Sequence, residues 1–182
     1  RWELNEQGAF PVAASLMEDV SACSRCEPDR SGWLYTRLLD GLLVGMNTAM
    51  IRREVLDKLG GFDETMRIGE DYLFWLKVSR MFEMHSLDAM VALYRIHPAS
   101  AMRRLDPANH QHDILSVAVA RWGLANPDGS VMTPAAFTRR LSECAFTHAY
   151  NHFWGGASDV ARRWFWVALR GGFLPAKCLV YL

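Results

Sequence analysis

The rhythm of apolar and polar positions divides the chain near residue 100. Before it, helical spacings and extended stretches are mixed; after it, helical spacing dominates. A short apolar stretch over 10–16 precedes a loop over 21–32 rich in Cys, Pro, Asp, Ser and Gly, the residues of turns. Leu34, Leu38 and Leu42 predict a helix over 33–43. Residues 44–51 read as extended, with Gly45 and Asn47 allowing another group close to the backbone. A short helix is expected over 52–59, ended by Gly60-Gly61 in a left-handed cap. A second should start near Gly69, with Tyr72, Leu73, Trp75, Leu76 and Val78 on its apolar face.

Residues 84–96 alternate loosely and predict one or two strands, with Val91, Leu93 and Tyr94 as strand formers, before His97-Pro98 breaks them. Helices follow. Asp106-Pro107 and Thr133-Pro134 each set a capping side chain before a proline suited to the first helical position. Ser158-Asp159 opens another helix that reaches Arg170 before Gly171-Gly172. There is no internal repeat and no low-complexity segment.

Composition narrows the classes. The chain's 182 residues fit one domain or one large piece of a longer one, and 51% hydrophobic residues suffice for a core. Lys+Arg and Asp+Glu number 20 each, which offers nucleic acid no net attraction. No segment reaches the roughly 18–20 apolar residues of a membrane span. The nearest, 164–182, is broken by Arg170 and Lys177. A start on Arg1 with no signal-like segment leads to the expectation that the chain begins inside a longer protein. Cys23 and Cys26 have the spacing of half a zinc site, but no second pair accompanies them, so reduced thiols and a cytoplasmic setting are expected.

One stretch carries candidate chemistry. In order it offers an apolar strand, Arg-Arg-Glu-Val-Leu, Gly-Gly-Phe-Asp-Glu, Gly-Glu-Asp-Tyr ahead of Trp75, and Tyr-Arg-x-His-x-x-Ser at 94–100. This succession resembles the second half of family 2 (GT-A type) glycosyltransferases. The resemblance implies an α/β fold: a partial GT-A, Rossmann-like mixed sheet with flanking helices over 1–103, then a mainly helical extension over 104–182. It implies an inverting transfer of a sugar from a nucleotide-sugar donor to a glycan, lipid-linked or small acceptor.

A sugar hydroxyl is a weak nucleophile at neutral pH, so a carboxylate must take its proton. The resemblance assigns that role to Asp71, with Glu70 orienting the acceptor or supporting it. The plainer reading of both is stabilisation of a helix N-terminus, worth about 0.3–1 kcal/mol. His97 corresponds to the family's C-terminal His, which contacts the diphosphate or its metal. Arg95 is a candidate for a phosphate or acidic neighbour. Gly45 and Asn47 are candidate acceptor contacts, and loop geometry explains them as well. Trp75 is a candidate for substrate contact, although an apolar helical face suits core packing more simply. Phe62 reads as core.

The family's Asp-x-Asp, which would hold Mg or Mn and the nucleotide, occurs nowhere in the sequence. The chain is therefore expected to begin past the donor site, and to be inactive alone. The paired His148 and His152 have metal-binding spacing without an evident third ligand, and His110 and His112 stand in or beside a helix. Trp164-Phe165-Trp166 with Arg170 and Lys177 offers a peripheral contact with the inner face of a membrane, though packing is the blander account. A non-catalytic module that docks a partner protein or a membrane is the alternative function.

Overall fold

The computed structural model describes residues 2–3, 26–88, 92, 95–96 and 105–182. Seven α-helices fill them: α1 (Tyr35–Asp40), α2 (Arg53–Leu59), α3 (Glu70–Val78), α4 (His110–Trp122), α5 (Pro134–Trp154), α6 (Ser158–Arg170) and α7 (Pro175–Tyr181). The strands among these residues are two residues long, β1 (Trp2–Glu3) and β2 (Arg95–Ile96), paired in parallel with Trp2 opposite Arg95. The described fold is mainly helical.

This corrects the expected α/β architecture. A GT-A domain is built on a mixed sheet, and a two-residue pair does not make one. Local hydrogen bonding accounts for part of the loss. Over 44–51, Thr48 Oγ1 and Thr48 N–H both donate to Gly45 O, at 2.8 and 3.0 Å. The backbone closes into a 3-10 turn, Met46–Thr48, instead of offering its groups to a neighbour. At 84–88, Gly32 and Met84 exchange backbone bonds, and Cys26 bridges Leu87. The Ser86 N–H, however, goes to Ser31 Oγ at 3.0 Å, so the pairing stays at isolated bridges.

The helices follow their local signals more closely. Thr133 Oγ1 accepts the Ala136 N–H at 3.1 Å with Pro134 at the first helical position, as its sequence predicts. Asp106-Pro107 does not start a helix. Asp106 Oδ1 is taken by the Ala108 N–H, and Asn109 caps α4 by accepting from His112. Gly60 ends α2 with φ +72°, but its ψ of −173° is not the left-handed cap expected.

Two apolar clusters organise the described residues. The first joins α1, α2, α3 and α4 to the early part of α5 through Tyr35, Leu38, Leu39, Tyr72, Leu76 and Leu115. The second packs the later part of α5 against α6 and α7 through small and aromatic residues, Ala145, Ala149, Ala161, Phe165, Ala168 and Cys178. Alanines let α5 and α6 approach closely, and Phe165 then fills the space toward α7, stacked on Tyr181 at 5.2 Å. Cα–Cα proximities between helices are densest for α5 with α6.

Candidate functional site

Glu70 and Asp71 occupy the first turn of α3, as the sequence predicts. Gly69 precedes them in the left-handed region, φ +82° and ψ 10°. That backbone angle calls for glycine, and a Cβ there would also press on the tip of the Ile114 side chain from α4. Asp71 is half-buried, and its Oδ1 accepts the Tyr72 N–H at 2.7 Å. Among the described residues it forms no ion pair. The carboxylate is therefore neither sealed in the core nor locked by a cation there.

The other candidates are scattered. Trp75 is 2% exposed and packs on Phe74 within the first cluster, which makes it core and removes it as a stacking platform for a sugar. Phe62, expected in the core, is 40% exposed while leaning on Phe74 at 4.8 Å. Gly45 and Asn47 lie exposed in the 3-10 turn, where a Cβ on Gly45 would sit 3.2 Å from Asn47 Oδ1. Arg95 contributes backbone to β2. His97, and with it the geometry between His97 and Asp71, lies outside the described residues, as do Cys23 and the segment 10–16. A groove of about 480 Å³ opens between α1 and the start of α5, lined by Thr36, Arg37, Asp40, Leu43, Met132 and neighbours. Glu70 and Asp71 take no part in it.

Two polar arrangements were not evident from the sequence. Tyr35 and Tyr72 run their hydroxyls through the first cluster, Tyr35 donating to Gly123 O at 2.9 Å and Tyr72 to Leu38 O. Burial pushes both phenols up to about 12, against the lowering influence of Arg80 and Arg140 respectively. On α5, the His148 and His152 rings stand 4.4 Å apart. His152 Nε2 donates to Asp106 O at 2.8 Å, and His110 Nε2 lies 3.2 Å from Asp106 Oδ2. The i, i+4 histidine spacing was legible; the arrival of Asp106, 46 residues away, was not. Burial, and then His152, hold His148 below the ordinary imidazole range.

No group of three or more His, Cys, Asp or Glu side chains among the described residues is arranged to hold a metal ion. The Mg or Mn implied by the resemblance thus has no fitting ligand set there. No described helix is long and apolar enough to cross a membrane.

A third feature is a surface. Trp154 at the end of α5 is 67% exposed, and Leu179 and Val180 on α7 are 62% and 79% exposed. Tyr181 links them, 4.9 Å from Phe153 and 5.6 Å from Tyr150, themselves partly exposed neighbours of Trp154. On α6, Trp166 is 48% exposed on the outward face it shares with Arg162, Arg163 and Arg170. The aromatic residues at 146, 150, 153 and 154 follow the i, i+4, i+7, i+8 spacing of a core-facing helix stripe, so the sequence alone did not mark Trp154 as exposed.

No family model matches the chain, and no curated protein and no solved structure is similar to it. Together with the helical fold, this overturns the resemblance to family 2 glycosyltransferases. The motifs over 43–75 that suggested it are short and fall on helices and turns, and Arg95 of the last one lies in the two-residue β2.

Proposed function

We propose that the chain is a docking module, attached to a partner or a membrane surface through the α5–α7 unit. The observation that carries this is the exposure of Trp154, Leu179 and Val180 on the ends of α5 and α7, which Tyr181 brings together by packing on Tyr150 and Phe153. Single exposed apolar residues need no account, but a joined aromatic and aliphatic patch marks a contact surface. Hydrogen exchange on the whole protein, alone and mixed with membrane or soluble cell fractions, tests it. Slower exchange over 150–154 and 175–181 in one of the mixtures is expected. Unchanged exchange in both removes the docking role.

A second reading is favoured by Asp71. It is a half-buried carboxylate in a helix's first turn, without an ion-pair partner among the described residues. We propose on that ground a transfer from a nucleotide-sugar to a glycan or lipid-linked acceptor. Asp71 would take the acceptor hydroxyl proton as the oxygen bonds to the anomeric carbon, and the nucleoside diphosphate would leave with the electrons of the broken bond. The check is sugar transfer by the intact protein with Asp71→Asn. A loss of about 10²-fold or more is expected of a general base; near-normal turnover ends this role.

A further inference from the structure

We infer that the occupant of the α5–α7 surface is an anionic lipid headgroup layer, an inference that rests on the docking reading above. Charge supplies the choice. Residues 155–182 carry Arg162, Arg163, Arg170 and Lys177 against the single acid Asp159. Among the described residues none of the four bases forms an ion pair. Arg163 leans over the Trp164 ring at 5.7 Å, and all four side chains are exposed. A bilayer of anionic lipid attracts unneutralised bases of one sign.

The geometry also separates the two tasks a surface anchor must perform. The inward stripe of α6, Ala161, Trp164, Phe165 and Ala168, is spent on the second cluster. That helix cannot roll its apolar face into lipid, and its outward face offers arginines around Trp166. Insertion is left to Trp154, Leu179 and Val180, which project beside it. Tryptophan prefers the headgroup level, where its ring is apolar and its N–H is wet, and aliphatic tips enter the acyl boundary. With no described helix able to span the bilayer, the unit lies on the surface.

Co-sedimentation of the whole protein with vesicles tests this, using phosphatidylcholine alone and phosphatidylcholine mixed with phosphatidylglycerol. Binding to the mixed vesicles stronger by about tenfold or more, and weakened by salt, is expected from several bases at a charged surface. Arg162→Glu with Arg170→Glu should abolish that preference. Leu179→Ser with Val180→Ser should abolish binding to both vesicles while leaving helicity unchanged, since both positions are exposed. Equal binding to the two vesicle types, or none, overturns the lipid assignment. Self-association seen by sedimentation velocity without lipid, lost in Leu179→Ser with Val180→Ser, also overturns it in favour of a second copy. Absence of vesicle binding beside protection by the soluble fraction would sink the lipid alone; absence of both sinks the docking reading as well.

Discussion

The two apolar clusters solve the same problem with different side chains. The first is a meeting of short helices, α1 to α4, filled by large aliphatic and aromatic residues and threaded by two tyrosine hydroxyls. The second is a close alanine-lined pairing of α5 and α6, capped by aromatic rings under α7. Their surfaces differ in sign. Residues 134–182 carry six basic and two acidic residues, which leaves 14 against 18 in the rest of the balanced chain. Helix pairing by small residues frees the long side chains of the second region to face outward, and this is why the candidate docking surface lies there. The first region buries its aromatics and retains as candidate chemistry only a carboxylate pair at one helix start.

The difference is broken most strongly by emptying the second cluster. Phe165 is fully buried among Phe146, Phe153 and Tyr181. Phe165→Ala should cost about 3–5 kcal/mol, the range for deleting a core phenylalanine. Hydrogen exchange should then speed first over α6 and α7, with α1 and α3 still protected. Equal acceleration in both regions would mean that the clusters form one cooperative unit. In the first region, Gly69→Ala places a Cβ on Ile114 and forces a residue with φ +82°. A loss of about 1–3 kcal/mol is expected, read from denaturant unfolding, with the α3–α4 contact opening first.

What the sequence disclosed follows the same division between local and distant causes. Thr133-Pro134 marks a helix start because its cap is satisfied within three residues; Gly69 before Glu70 and Ser158 at the head of α6 mark theirs without a side-chain cap, through a left-handed glycine and an acidic first turn. The strand expected over 44–51 was misread because a strand exists only if a neighbour accepts its hydrogen bonds, and Thr48 claims Gly45 O locally; the pairing at 84–88 is cut short by Ser31, 55 residues from Ser86. Phe62 looked like core by type, yet the turn after Gly60-Gly61 carries it to the surface. The helix start at Glu70-Asp71 was legible from two residues. The groups that come near the histidines of α5 were not, since Asp106 reaches them by packing alone.

Alkaline pH should distinguish the regions next. Tyr35 and Tyr72 keep their protons to about 12 in the folded state, against an ordinary value of 10.0. Above pH 10 the unfolded chain releases those protons and the folded one does not, so stability present below 10 is lost as pH approaches 12. Tyr35→Phe should flatten this slope and cost about 1 kcal/mol for the hydroxyl bond it forfeits, a single O–H shared between Gly123 O and Ala118 O. Urea midpoints measured in steps across pH 9–11 check both effects. An unchanged alkaline slope in Tyr35→Phe and in Tyr72→Phe would show that the phenols are not the source.

The smallest effect belongs to acid pH and to α5. His148 is held below the ordinary 6.5, by burial first and by His152 second, while Asp106 and the Pro107 backbone pull it the other way. The groups facing it are His152 on its own helix, Trp164 of α6 at 5.3 Å, and Asp106 with His110 from the α4 side. As pH falls below 6.5, the unfolded chain takes up a proton that the folded chain refuses, so stability declines toward the lowered folded value. The His148 side chain is only partly buried, which keeps the effect modest. His148→Asn should reduce the acid slope of the second region and leave the alkaline slope of the first untouched. Hydrogen exchange over α5 and α6, at pH values from 7 down to 5, reads the change where it occurs. If the variant keeps the wild-type slope, His148 is not the source of the acid dependence.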